Sequence, residues 1–129
     1  MPKRFTHISL WNWRNFQRVD MDLQARVFLV GPNASGKSNF LDVFKFLRDI
    51  VSVGGGFQGA VKERGGVSSL RALSARKYSD IGIMVRLGNA ELDDLWEYEL
   101  TFRQDERNLP VIAKERVARC GNEVIARPS

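Results

Sequence analysis

Eight consecutive residues carry the sharpest chemistry in the chain. Gly31-Pro32-Asn33-Ala34-Ser35-Gly36-Lys37-Ser38 fits the pattern G-x-x-x-x-G-K-[ST] at every fixed position. Gly31 and Gly36 allow the backbone to curl close to phosphate oxygens, so that successive N–H groups and a following helix N-terminus present partial positive charge. Lys37 adds a full charge where the β- and γ-phosphates of a nucleoside triphosphate lie, and the Ser38 hydroxyl is placed to ligate Mg²⁺. Asn39 opens the helix surface beside the loop, where its backbone can reach the α-phosphate; its side chain reads equally well as a member of an N-terminal turn. The plain alternative is a glycine turn that happens to carry Lys-Ser.

A motif of this kind works only between a buried strand and an amphipathic helix, and both flanks are present. Val27-Phe28-Leu29-Val30 is a continuous apolar run, the mark of a parallel-sheet strand buried on both faces. From Ser38 to about Val53 the period becomes 3.6, with Phe40, Val43, Phe44, Leu47, Ile50 and Val51 as one stripe and Asp42, Lys45 and Asp49 opposite. Gly54-Gly55-Gly56 ends that helix, and six of the 11 glycines fall between 54 and 66, which predicts a flexible loop over 54–69.

Upstream, Phe5 to Trp11 reads as a strand with Ile8 and Leu10 on one face, Asn12 to Gln17 as a bend, and Arg18 to Leu23 as the return strand. Downstream, Ser69 to Arg76 reads as a short helix and Ile81, Ile83, Val85 and Leu87 as one face of a strand. Trp96, Tyr98, Leu100 and Phe102 give the cleanest alternation, and 111–119 and 123–127 flank a hairpin turn at Gly121-Asn122. The whole predicts an α/β domain with a mixed sheet, one helix leaving the phosphate loop and an antiparallel meander.

Trp13-Arg14-Asn15-Phe16, the loop spelled G-P-N-A-S-G-K-S-N and the helix opening Phe40-Leu41-Asp42 resemble the N-terminal lobe of ABC-type ATPases of the SMC, RecF and OLD-like branch, including the bacterial AAA-family ATP-binding proteins. Arg64-Gly65-Gly66 through Leu87 is similar to the glycine-rich loop and following strand of those heads. The resemblance implies a P-loop NTPase fold in which Gly31, Pro32, Asn33, Ala34, Ser35, Gly36, Lys37, Ser38 and Asn39 hold ATP and Ser38 holds Mg²⁺. It also implies an arginine near the nucleotide. Arg14 and Arg18 flank the Asn15-Phe16 pair, with Arg14 the better placed, and Arg64 is a second candidate for nucleotide or DNA; each also reads as a surface charge. Heads of this branch use ATP binding and hydrolysis to drive dimerisation or a conformational change on DNA or a partner protein.

Two parts of such a site are missing from the 129 residues. No run of four apolar residues ends in Asp or Glu, so the carboxylate that holds Mg²⁺ and orients water is absent, and no serine-glycine-glycine stretch opens a helix. Ser52-Val53-Gly54-Gly55-Gly56 imitates the second in composition but reads as a helix C-terminus. The chain is therefore expected to be one incomplete domain, 1–129, whose second lobe comes from the rest of a longer protein or from another chain, and to bind ATP with negligible hydrolysis by itself. A small P-loop kinase is the alternative enzyme, disfavoured because strands stand at 96–103 and beyond where such kinases place helices. A non-hydrolysing nucleic-acid-binding or assembly module is the other alternative.

The remaining features are weaker. Twenty Lys plus Arg against 15 Asp plus Glu give +5, which suits a polyanion without proving one. Lys62, Arg64, Arg71, Arg76, Lys77 and Arg86 could form a DNA-facing surface or an ordinary charged face. His7 has no Cys, Asp or second His nearby in sequence, so no metal or catalytic role is assigned to it. Trp11, Trp13 and Phe16 read as hairpin packing ahead of base stacking. The single cysteine, Cys120, excludes an intramolecular disulfide and any Cys-based zinc site, and with neither a signal segment nor a membrane span in the sequence a cytoplasmic protein is expected.

Overall fold

Among the described residues, alternating apolar and polar residues produce six strands: β1 (Arg4–Trp13), β2 (Phe16–Asp22), β3 (Ile81–Gly88), β4 (Trp96–Gln104), β5 (Pro110–Arg119) and β6 (Asn122–Arg127). The computed structural model describes residues 4–14, 16–23, 34–51, 56–71, 80–89 and 95–127, without the side chains of 34–37 and 127. The strands form one sheet in the order β2-β1-β3-β4-β5-β6, and every neighbouring pair is antiparallel. The described sheet is thus antiparallel where a mixed sheet is predicted; the strand expected over 27–30, which would supply the parallel member, lies outside the described residues.

The first hairpin turn is tighter than the sequence suggests, and the last is displaced by one residue. Trp13 pairs with Phe16, which leaves a two-residue connection, and Arg14 takes φ 52°. Arg119 pairs with Asn122, so the second turn is Cys120-Gly121, one residue before the predicted Gly121-Asn122. Cys120 at φ 50° and Gly121 at φ 81° supply the two positive φ values a type I′ turn demands. Glycine marks the second central position of that turn, which is why reading it as the first displaces the turn.

Pleating sends Ile8 and Leu10 of β1, Ile81 and Ile83 of β3, and Leu100 and Phe102 of β4 to one buried face. Among the described residues, three helices cover that face: α1 (Ala34–Ile50), α2 (Gly56–Glu63) and α3 (Val67–Leu70). α1 extends back into the glycine motif and stops at Ile50, leaving Val51 80% exposed instead of in the stripe. Phe46, which the stripe omits, is fully buried against Trp13 and Phe102, with centroids 5.2 and 5.6 Å away. The omission has a cause: α1 is buried on two sides, by the sheet and by α2, so its apolar arc is wider than a single stripe.

The flexible loop predicted over 54–69 is corrected as well, since α2 and α3 occupy 56–63 and 67–70. Phe57, Ala60 and Val61 carry helical spacing; Ala60 and Val61 are buried and Phe57 stacks edge-on against Phe102. The glycines punctuate this segment rather than loosening it: Gly56, Gly65 and Gly66 sit at the helix boundaries with φ of 67°, 88° and 93°. Of the helix predicted over 69–76, residues 69–71 fall among the described ones: Ser69 and Leu70 lie inside α3, whereas Arg71 is already extended and bridges to Trp13, which ends the helix at Leu70.

Candidate functional site

Two elements converge on the first turns of α1. β1 delivers Trp13, fully buried, whose indole N–H donates to the Asn39 carbonyl at 2.8 Å. The next residue, Arg14, turns the chain. Its backbone N–H donates to the Leu70 carbonyl, and its guanidinium Nη2 donates to Asp42 Oδ2 at 2.9 Å.

The end of α2 delivers Arg64 to the same carboxylate. Arg64 donates from Nε to Asp42 Oδ2 at 2.9 Å and from Nη2 to Asp42 Oδ1 and Asp49 Oδ2, both at 3.0 Å. Its Nη1 donates to the Ala60 carbonyl at 3.0 Å, and its cation lies 5.2 Å from the Phe46 ring centroid. Asp42 and Asp49 can share this arginine because seven residues are two helical turns.

Burial alone would raise the Asp42 carboxyl, but the donors from Arg64 and Arg14 outweigh it and hold the group below the usual carboxylate range. Burial likewise disfavours the Arg64 cation, and Asp42 and Asp49 more than restore it. The result is a two-cation, two-anion cluster that ties the β1–β2 turn and α2 to the helix leaving the glycine motif.

Beside the cluster lies an open cavity of about 590 Å³ lined by Arg14, Ser38, Asn39, Asp42, Lys45 and Arg64, among others. Arg14 Nε is buried and has no hydrogen-bond partner among the described residues, a costly arrangement. Ser38 is exposed at the cavity. The donor set therefore suits a phosphate with its divalent cation, with hydroxyl and guanidinium groups on one wall.

Gly31, Pro32 and Asn33 lie outside the described residues, as do Asn15, the predicted strand over 27–30, the acidic run 91–94 and the glycines 54 and 55. Ala34, Ser35, Gly36 and Lys37 form the first turn of α1. Ser38, Asn39, Arg14 and Arg64 are brought together at the cavity, whereas Arg18 stacks on the Trp11 ring at 4.3 Å, on the opposite face of the sheet. Trp13 and Phe16 are packing residues, Phe16 lying edge-on to Phe40 at 6.2 Å.

The described basic residues of 62–86 do not share one surface. Arg64 faces α1, while Arg86 lies on the sheet's outer face and donates to Glu97 at 2.8 Å. Arg76 and Lys77 lie outside the described residues.

Two partnerships are absent from the sequence reading. Asp42 is there a solvated position, although its spacing to Asp49 beside two arginines is a usable signal. His7 reads as having no nearby aspartate, but the β1–β2 register sets it opposite Asp22 and two pairs from Asp20. Its Nδ1 and Nε2 are each 2.6 Å from an oxygen of Asp22 and Asp20 respectively. Among the described residues, no group of three or more His, Cys, Asp or Glu is arranged to hold a metal ion. Among them also, no helix is long and apolar enough to cross a membrane.

Comparison with known proteins returns three findings. Residues 26–126 match the family model described as "AAA domain, putative AbiEii toxin, Type IV TA system". Over 43 residues, 33% of the chain, the sequence is 46% identical to the DNA replication and repair protein RecF of Roseiflexus castenholzii; over 46 residues, 36% of the chain, it is 39% identical to endonuclease GajA of Bacillus cereus. Those matches span only 11% and 8% of the two relatives' lengths. A structure solved in work on "Structural biochemistry of ATP-driven dimerization and DNA stimulated activation of SMC ATPases" superposes with a TM-score of 0.53 at 16% identity, over 94% of this chain and 72% of that one. That likeness establishes a shared fold.

Proposed function

The chain belongs to the AAA domain family described above, and from that premise we propose that it is the ATP-binding lobe of an SMC/RecF-like ATPase. Gly31 to Ser38 cradle the phosphates, with Lys37 at the β- and γ-phosphates and Ser38 as a Mg²⁺ ligand. A divalent cation held by the Ser38 hydroxyl would supply charge neutralisation at the phosphates. The chain's own residues do the positioning. Asn39 is fixed by the Trp13 indole donating to its carbonyl, and Arg14 lines the same cavity as Ser38.

The carboxylate and the serine-glycine-glycine segment needed for turnover are to be supplied by a second lobe, in the same protein or another chain. ATP binding by the complete head would then drive dimerisation or a conformational change on DNA or a partner protein. One observation carries this reading: the full G-x-x-x-x-G-K-S motif runs into a helix beside a cavity that Arg14, Ser38 and Asn39 line. Titration of the purified chain with ATP and Mg²⁺ by calorimetry tests it. Binding that Lys37→Ala abolishes is the expected result, and unchanged binding in that variant overturns the reading.

A further inference from the structure

We propose that His7, Asp20 and Asp22 form a proton-dependent clasp that fastens the edge strand β2 to the sheet. His7 stands on β1 opposite Asp22 and two pairs from Asp20. Its Nδ1 lies 2.6 Å from an Asp22 oxygen and its Nε2 lies 2.6 Å from an Asp20 oxygen. An ionised carboxylate only accepts, so both ring nitrogens must donate, and only the imidazolium carries two N–H groups. Removing one proton would aim a ring lone pair at a carboxylate oxygen and open one side of the clasp.

The groups around the ring decide which side opens. On β1, the Ser9 hydroxyl donates to the same Asp20 oxygen at 2.5 Å. Ser9 first, and His7 after it, hold the Asp20 carboxyl below the usual carboxylate range. On β2, the Arg18 charge also favours the Asp20 carboxylate, while its guanidinium rests on the Trp11 ring. On β3, Arg86 pairs opposite His7, but its Nε donates to Glu97. Arg4, earlier on β1, donates to the Leu23 carbonyl. Among the described residues, Asp20 and Asp22 are thus the charged groups within hydrogen-bond reach of the ring. Asp20 is braced by Ser9, whereas the Asp22 side chain is 89% exposed and is the arm that swings away.

The position of the clasp gives it leverage. Among the described strands β2 pairs with β1 alone, and Asp22 is its last residue. The other end of β2 is held at the turn, where Arg14 donates to Leu70 and Asp42. The clasp therefore governs the open end of the hairpin. Its contribution is present while the ring holds both protons and is lost as pH rises.

His7 is the sole histidine of the chain, so thermal unfolding of wild type, His7→Phe and Asp22→Asn at about pH 5.5 and about pH 8.5 tests the clasp. Cys120 and the amino terminus are common to all three. Relative to His7→Phe, the wild-type midpoint should fall by about 2–6 °C between the lower and the higher pH. Asp22→Asn should melt below wild type at the lower pH and match it at the higher. Parallel pH profiles for wild type and His7→Phe overturn the proposal, as does a wild-type midpoint that rises with pH relative to that variant. Where His7→Phe does not fold, the exposed Asp22→Asn decides: an equal loss at both pH values, or no loss at either, overturns the clasp.

Discussion

The Trp11 indole lies flat against the backbone of Gly82 on the neighbouring strand, so that a Cβ built at Gly82 would stand 2.7 Å from the indole Cε3. The ring has little room to retreat, because the Arg18 guanidinium rests 4.3 Å from its centroid. Gly82→Ala should therefore destabilise the fold by about 1–3 kcal/mol. The contrast is Gly59 in α2, where an added Cβ meets nothing within 4 Å and φ is ordinary. Gly59→Ala should stabilise by about 0.5–1 kcal/mol through helix propensity. Urea unfolding of both variants checks the pair: the same substitution is expected to act with opposite sign.

Phe46 joins the Trp13 ring to the Phe102 ring and stands beneath Arg64. Truncation to Ala should cost about 3–5 kcal/mol, whereas Leu47→Ala, at a partly buried position, should cost less. Chemical denaturation of the two variants measures the difference. Equal losses would show that α1 has a single buried stripe after all.

Asp42 sets a pH dependence. Its folded-state carboxyl titrates below the ordinary value of 3.8, so the stability it contributes is fully present above that ordinary value and is lost as pH falls through the lower, folded-state value. Unfolding free energies measured from pH 7 down to pH 2.5 should fall more steeply for the wild-type chain than for Asp42→Asn below about pH 4. Parallel curves would mean that the Arg14 and Arg64 contacts do not stabilise the carboxylate.

On the outer face of the sheet, Glu97 accepts from Arg86 on one neighbouring strand and from Arg116 on the other, and Arg116 also donates to Glu123 on β6. These donors hold the Glu97 carboxyl below the usual range, the Arg86 hydrogen bond first. The ladder is partly exposed, so Glu97→Gln should cost no more than about 1 kcal/mol, and the cost should shrink in 1 M salt. A thermal scan at low and high salt reads both. A salt-independent loss of several kcal/mol would mean that packing and not charge accounts for the contribution of Glu97.

These results separate what a one-dimensional reading can see from what it cannot. The strands at 81–88 and 96–104 were legible because alternation is a local property, and Leu100 and Phe102 are buried as that alternation requires. Phe46 was hidden because α1 is covered on two sides, which no single-stripe template reveals. The helix at 56–63 was hidden by its glycines, although the spacing of Phe57, Ala60 and Val61 announces it. Asp42 and His7 were misjudged for a common reason: their partners come from other elements. Arg14 and Arg64 reach Asp42 from 28 and 22 residues away, and Asp22 meets His7 only once the two-residue turn has fixed the register.

The strand order has a consequence for how the molecule comes together. β3, β4, β5 and β6 follow one another as neighbours, so their pairing closes only short loops. β1 must find β3 across the whole of residues 23–80, and closing that span costs more chain entropy than any hairpin in the sheet. The glycine motif and all three helices lie inside this span. Whatever stabilises this span therefore acts on the seam between β1 and β3 before it reaches the rest of the sheet.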